Sequence, residues 1–261
     1  MKTYFVDGQF VTEDQAMIPV TDLSVLRGYG VCDIMRTFQG KPFFLKEHIK
    51  RLRASADEIG LSLPWSEADI VKYVLQTLEK NLPIDEANIR IIITGGSSTD
   101  FFTPQGKPRL IILITDLKKL PDTWYTKGVK VVTVLQERPI PDAKVTAYIP
   151  AAMALNKAHQ TGAIEAIYVN RENWVLEGTT SNLFLFKSNR LVTPKEDVLK
   201  GITRQAILTL AEPIFQIEKR RISLHELFDA DEVFITGTNK GIVPVVDIND
   251  NVIAGGIPGP N

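Results

Sequence analysis

Two short runs, IRIIIT (Ile89–Thr94) and RLIILIT (Arg109–Thr115), constrain the fold of this chain more than any other feature. Each is apolar, rich in β-branched residues and too short for an ordinary helix, so each reads as a buried strand. The segments before them carry a different period. LKEHIKRLRASADEIGL places Leu45, Ile49, Leu52, Ala56 and Ile59 at helical spacing, with Gly60 suited to the end. SEADIVKYVLQTLEKN repeats that period behind Ser66, a natural N-cap. YFVDGQFV reads as a hairpin turning at Asp7-Gly8. VCDIMRTF and PFFLKEH read as strands joined by Gln39-Gly40. The pattern is α+β, with a first domain over residues 1–115.

DLKKLPDTW, residues 116–124, is polar and contains Pro121, as expected of a linker. A second, larger domain over 125–261 follows. There VKVVTVL, EAIYV, NLFLF, RLVTP, DEVFIT and IVPVVDI read as strands, and TRQAILTLAEPI as a helix. Pro150 suits the first turn of another helix, where its missing N–H costs nothing.

The 261 residues are 44% hydrophobic and 23% charged, a globular composition. The 30 basic and 31 acidic residues leave a net charge of -1, which argues against nucleic acid as a partner. The most basic stretch, IEKRRIS (Ile217–Ser223), reads as a solvated strand end. No apolar run approaches the ~18 residues of a membrane span. MKTYFVDGQF reads as a first strand rather than a secretion signal. Cys32 is the one cysteine, so no internal disulfide forms, and the expected compartment is the cytoplasm. Cys32 itself reads as a small apolar filler. His48, His159 and His225 are far apart, and neither HExxH nor CxxC occurs, so no metal is expected.

Four segments carry possible chemistry. PDAKVTAY puts Lys144 between a proline-marked turn and a helix start. A lysine is a nucleophile only when neutral, and spacing alone does not show the burial that would make it so. Lys157, in the helix that follows, reads as a solvated face. VLEGTTSNLF (Val175–Phe184) sets Glu177 before Gly178, Thr179, Thr180 and Ser181, which reads either as a strand–strand turn or as a phosphate cradle. LKGITRQAIL (Leu199–Leu208) is a helix start that can also receive an anion. FITGTNKG (Phe234–Gly241) is a strand ending in a Gly/Thr loop. Together they suggest a phosphorylated cofactor with a nucleophilic lysine nearby.

These segments, in this order and over nearly the whole chain, resemble the class IV (fold-type IV) pyridoxal-phosphate aminotransferases. EHIKRL is similar to the family's H-x-x-R-L motif, which makes Arg51 a phosphate ligand by resemblance. PDAKVTAY is similar to the segment of the Schiff-base lysine, hence Lys144. EGTTSNLF resembles E-G-x-x-x-N-x-F, which implies Glu177 beside the pyridine nitrogen and adds Thr180, Ser181 and Asn182 to the cofactor-binding set. GITR and TGT resemble the two phosphate loops, hence Ile202, Thr203 and Thr238. The resemblance implies two domains, a small N-terminal α/β domain and a larger one with a pseudobarrel sheet. It further implies pyridoxal 5′-phosphate between them, and a homodimer.

TDLSVLRGYG and IRIIITGGSSTDFFTP look like a less common group of D-amino-acid aminotransferases. In that group arginines at the positions of Arg27 and Arg90 are implied to bind substrate carboxylates, although Arg90 also stands where the branched-chain enzymes place their arginine. The common D-amino-acid enzymes carry T-R-G where this chain has TGGSS, and the lyase relatives carry S-R-G-S. From the residues alone, Arg90 reads equally as a structural ion pair, and Arg27 also reads as a surface arginine. Tyr148 is implied to approach the cofactor's phenolic oxygen. The expected activity is transfer of an amino group between a D-amino acid, such as D-alanine or D-glutamate, and a 2-oxo acid such as 2-oxoglutarate. The alternatives are an L-branched-chain aminotransferase, an aminodeoxychorismate lyase and a non-catalytic cofactor-binding protein.

Overall fold

A computed structural model describes residues 1–261, which divide into two compact units, Met1–Lys118 with Ala143–Ala147, and Lys119–Asp142 with Tyr148–Asn261. The division after Lys118 falls within the polar 116–124 stretch. Residues 143–147 pack with the first unit although their neighbours in sequence belong to the second.

In the first unit, β1 (Thr3–Val6) and β2 (Gln9–Thr12) form a hairpin with Val6 opposite Gln9. Asp7 and Gly8 turn it at φ 53° and 91°, the two left-handed positions that an Asp-Gly turn supplies. A short α1 (Leu23–Arg27) is capped by Asp22, whose carboxylate accepts the Ser24 N–H. There follow β3 (Gly30–Phe38), β4 (Lys41–Pro42), α2 (Leu45–Glu58), α3 (Glu67–Glu79), β5 (Ala87–Thr94) and β6 (Arg109–Asp116). The sheet runs β2-β1-β6-β5-β3-β4 and every pair is antiparallel.

Ser66 and Asp69 form a reciprocal capping box that starts α3. The PFFLKEH strand is a correction. Only Lys41 and Pro42 pair with β3, and α2 already starts at Leu45. Pro42 brings no N–H to a ladder, and the helical spacing from Leu45 claims the rest.

The two apolar runs that looked buried are covered by helices on one face only. Ile89, Ile91, Ile93, Leu110, Ile112 and Ile114 pack with Ile49, Leu52, Ala56, Ile70 and Val74 of α2 and α3. Residues of the other parity, Arg90 and Ile92, point to the opposite face, and Arg90 is exposed.

The second unit holds α4 (Thr123–Thr126), β7 (Val129–Leu135), α5 (Ile149–Gln160), β8 (Glu165–Val169), β9 (Trp174–Gly178), β10 (Asn182–Lys187) and β11 (Arg190–Thr193). After these come α6 (Ile202–Ala211), β12 (Gln216–Lys219), β13 (Ile222–Ser223), α7 (Leu224–Phe228), β14 (Glu232–Gly237), β15 (Gly241–Ile248) and β16 (Asn251–Val252). Its sheet runs β12-β11-β10-β14-β15-β7-β8-β9-β13, with β16 on β15. Pro150 sits in the first turn of α5, the crossover between parallel β7 and β8. Strands β9 and β10 are far apart in this order, yet only the turn 179–181 separates them in sequence. The sheet therefore curls on itself into a half-barrel, filled by residues such as Val131, Ile167, Leu183, Val192, Ile235 and Val243. No helix is long and apolar enough to cross a membrane.

Candidate active site

In the first unit, Lys144 is half-buried and its backbone is held at both ends. Its N–H donates to Ser55 Oγ at 3.0 Å, and its C=O accepts the Cys32 N–H at 2.9 Å. Val145 forms an antiparallel bridge with Val31, so residues 144 and 145 ride along β3. Burial pushes the Cys32 thiol up against the opposing pull of Lys144, which favours the inert apolar role expected of it.

Arg51 lies on α2 three residues after His48, and both reach Asp33 of β3. Arg51 donates Nε to one Asp33 oxygen at 2.8 Å and Nη2 to the other at 2.7 Å. His48 Nδ1 lies 2.7 Å from the second oxygen. Burial alone would raise the Asp33 pKa, but the Arg51 charge and the His48 and Arg51 hydrogen bonds outweigh it and hold it at about 2. A folded-state value below the unfolded one stabilises above the unfolded pKa near 4, and the gain disappears as pH falls toward 2. That gain is roughly 2 kcal/mol. Denaturant titrations at pH 6 and pH 3 should show Asp33→Asn costing less at pH 3. An equal cost at both would discard the linkage.

In the second unit, Glu177 lies one residue before the end of β9, with a buried carboxylate. Arg138 Nη1 donates to its Oε1 at 2.6 Å. Its Oε2 accepts the Leu199 N–H at 3.0 Å and Asn182 Nδ2 at 3.1 Å. Asn182 also donates to Leu199 C=O at 2.9 Å, so it ties β10 to the segment leading into α6. Gly201, the N-cap of α6, is required here. A Cβ would sit 2.0 Å from Asn182 Oδ1. No side chain caps α6, and the first-turn N–H groups of Ile202 and Thr203 have no intrahelical acceptor. Thr238 is half-buried in the turn from β14 to β15.

The hydroxyls of Thr179, Thr180 and Ser181 all donate to Glu165, so as side chains they are not an open phosphate cradle. Lys240 Nζ completes the cluster, 2.8 Å from Glu165 Oε2 and bonded to Thr180. Burial would raise the Glu165 pKa, but Lys240 leads the groups that pull it below the ordinary value. Thr180 and Ser181 thus fasten the β9–β10 turn that presents Glu177 and Asn182.

Arg27 ends α1 in an exposed position, with its guanidinium 5.7 Å from the Phe102 ring centre and Nη1 donating to Leu26 C=O. Neither Arg27 nor Arg90 forms an ion pair with a carboxylate of the chain. Tyr148 is the N-cap residue of α5. Burial, then Glu165 and Glu177, hold Tyr168 up at about 12 against the pull of Arg138, and the Tyr148 hydroxyl adds the smallest of these contributions.

The structure thus groups Lys144 with Arg51 in one unit and Glu177 with Asn182, Ile202 and Thr203 in the other. Sequence reasoning missed Asp33, Arg138, Glu165 and Lys240. An acid at the head of the apolar run EAIYV was a usable signal for Glu165, since an unpaired acid is rarely buried. Nothing in the spacing of Arg138 announced its partner. The donor set suits a phosphorylated pyridine. In the first unit Arg51 suits a phosphate, and in the second the uncapped α6 terminus suits an anion and the Glu177 carboxylate a protonated ring nitrogen.

A family model described as amino-transferase class IV matches residues 30–248. A Methanocaldococcus jannaschii protein with a provisional branched-chain-amino-acid aminotransferase name is 35% identical over 263 residues, covering 97% of this chain and 90% of that protein. The D-alanine aminotransferase of Bacillus licheniformis is 31% identical over 264 residues, covering 100% of this chain and 93% of that protein. Among solved structures, the branched-chain aminotransferase of Thermoproteus uzoniensis with norvaline has a TM-score of 0.90 at 28% identity, over 97% of this chain and 89% of that one.

Proposed function

This chain belongs to the class IV aminotransferases, and on that premise we propose that it moves amino groups from D-amino acids such as D-alanine or D-glutamate to 2-oxo acids such as 2-oxoglutarate. The class uses pyridoxal 5′-phosphate, which supplies an amine-reactive aldehyde and an electron-accepting ring when bound. Lys144 Nζ would hold the aldehyde carbon until the substrate amine displaces it, and the freed Nζ would then take the proton from the substrate Cα and return it at the cofactor's C4′. Glu177, oriented by Arg138 and Asn182, would hold the proton on the ring nitrogen. Arg51, the Ile202 and Thr203 N–H groups and Thr238 would hold the phosphate. Amino donor and acceptor use the same residues in turn, so the kinetics are ping-pong, and the assembly is a homodimer.

The D-specific reading rests on one observation. Arg27 and Arg90 are two exposed guanidinium groups with no carboxylate partner in the chain. Both are available to substrate carboxylates, and a charge such as Arg27 sits poorly against a branched apolar side chain. A second reading, an L-branched-chain aminotransferase, draws support from the relatives and solved structures that carry that name.

Half-reactions separate the two. D-alanine should discharge the absorbance of the bound cofactor faster than L-leucine, and discharge by L-leucine alone would sink the D-specific reading. Arg90→Ala should raise the KM for 2-oxoglutarate about tenfold or more, the loss of a charged hydrogen bond, while slowing the D-alanine half-reaction less. No change in either quantity would remove Arg90 from substrate binding.

A further inference from the structure

We propose that Asp33 is a positioning residue for cofactor phosphate, acting through Arg51, an inference that rests on the phosphate-binding reading of Arg51 above. Asp33 is fully buried on the helix-covered face of the six-stranded sheet. Both of its oxygens face one guanidinium, through Nε and Nη2 of Arg51. A two-point contact fixes the plane of a guanidinium as well as its position, which a single contact cannot do. The fork is itself held. His48 Nδ1 and the Ile34 N–H both lie 2.7 Å from Asp33 Oδ1.

An arginine in solution samples many rotamers, and ordering it on a ligand weakens binding by the entropy lost. Asp33 removes that loss in advance by holding Arg51 in one orientation before any ligand arrives. The bar that carries Arg51 also carries Ser55 one turn further along α2, and Ser55 accepts the Lys144 N–H. The same helix therefore registers the phosphate-holding arginine against the segment that bears the reactive amine. A buried ion pair serving the core alone would give Asp33 no preference among ligands. A positioning residue makes its loss felt only by ligands that carry the phosphate.

The test titrates the full chain, stripped of cofactor, with pyridoxal 5′-phosphate and with pyridoxal, following protein fluorescence. Arg51→Lys should weaken pyridoxal phosphate and leave pyridoxal unchanged. Asp33→Asn should do the same, by about three- to tenfold, and should add less than about twofold in the Arg51→Lys background, because the two act in series. If Asp33→Asn does not fold, Asp33→Glu keeps the charge but displaces the fork, and the same selective loss is expected. Equal weakening of both ligands, or of neither, by the Asp33 variants while Arg51→Lys remains selective would overturn the positioning role. An unchanged ratio in Arg51→Lys would instead overturn the reading of Arg51, and this inference with it.

Discussion

Lys144→Ala should lower turnover with D-alanine and 2-oxoglutarate by about 10⁴-fold or more, since one amine both anchors the cofactor and moves the proton. The loss should come without unfolding. Lys144 is tied in place by its own N–H and C=O, to Ser55 and Cys32, and both contacts survive truncation of the side chain. Its side chain is only half-buried, so little apolar packing is lost. Thermal unfolding of the variant should lie within a few degrees of the parent by the ordinary scale for small losses. Turnover near the parent value would discard the mechanism, whatever the substrate proves to be.

Glu177→Ala should strike both stability and activity. The carboxylate accepts from Arg138, Asn182 and the Leu199 N–H, and its side chain is 5% exposed against 22% for Arg138. Removing one partner of such a pair leaves a half-buried charge uncompensated, at a cost of about 3–5 kcal/mol. For a chain of this length that corresponds to a fall of roughly 10 °C in Tm. Activity should fall about 10²–10³-fold, the scale for losing a preorganised charge at a reacting centre. Glu177→Gln keeps the shape and two of the acceptor contacts, so it should lose less stability than Glu177→Ala while losing comparable activity. A Glu177→Gln enzyme with parental turnover would show that the ring nitrogen does not depend on this carboxylate. Removing both charges, as Arg138→Met with Glu177→Met, should recover part of the stability and none of the activity.

The legible parts of the fold are those written in local periodicity. The helices over 45–58 and 67–79, the Asp7-Gly8 hairpin and the strand at 165–169 all follow from residues adjacent in sequence. PFFLKEH failed where two local signals competed and the helix period won. The apolar runs at 89–94 and 109–115 showed strands but not their sidedness, because Ile and Val suit either face and only the position of α2 and α3 decides which is covered.

The motifs around Lys144, Glu177 and Gly201 stand out in the sequence because each needs a particular residue type beside a turn or helix start, whereas Arg51, inside α2, is marked only by the family resemblance. What holds them does not. Asp33 with Arg51, Glu177 with Arg138 and Glu165 with Lys240 are pairs separated by 18, 39 and 75 residues. An ionic side chain reads the same in sequence whether it faces water or a buried counter-charge. The spacing and residue types by themselves narrowed the groups this protein could use for its chemistry, and the family resemblance singled them out. Only the tertiary structure decided which carboxylate each cation meets, that Thr180 and Ser181 serve Glu165, and that Arg90 meets none. Electrostatic pairing acts through space at a few ångströms, and chain separation carries no information about such distances until the strands are laid side by side.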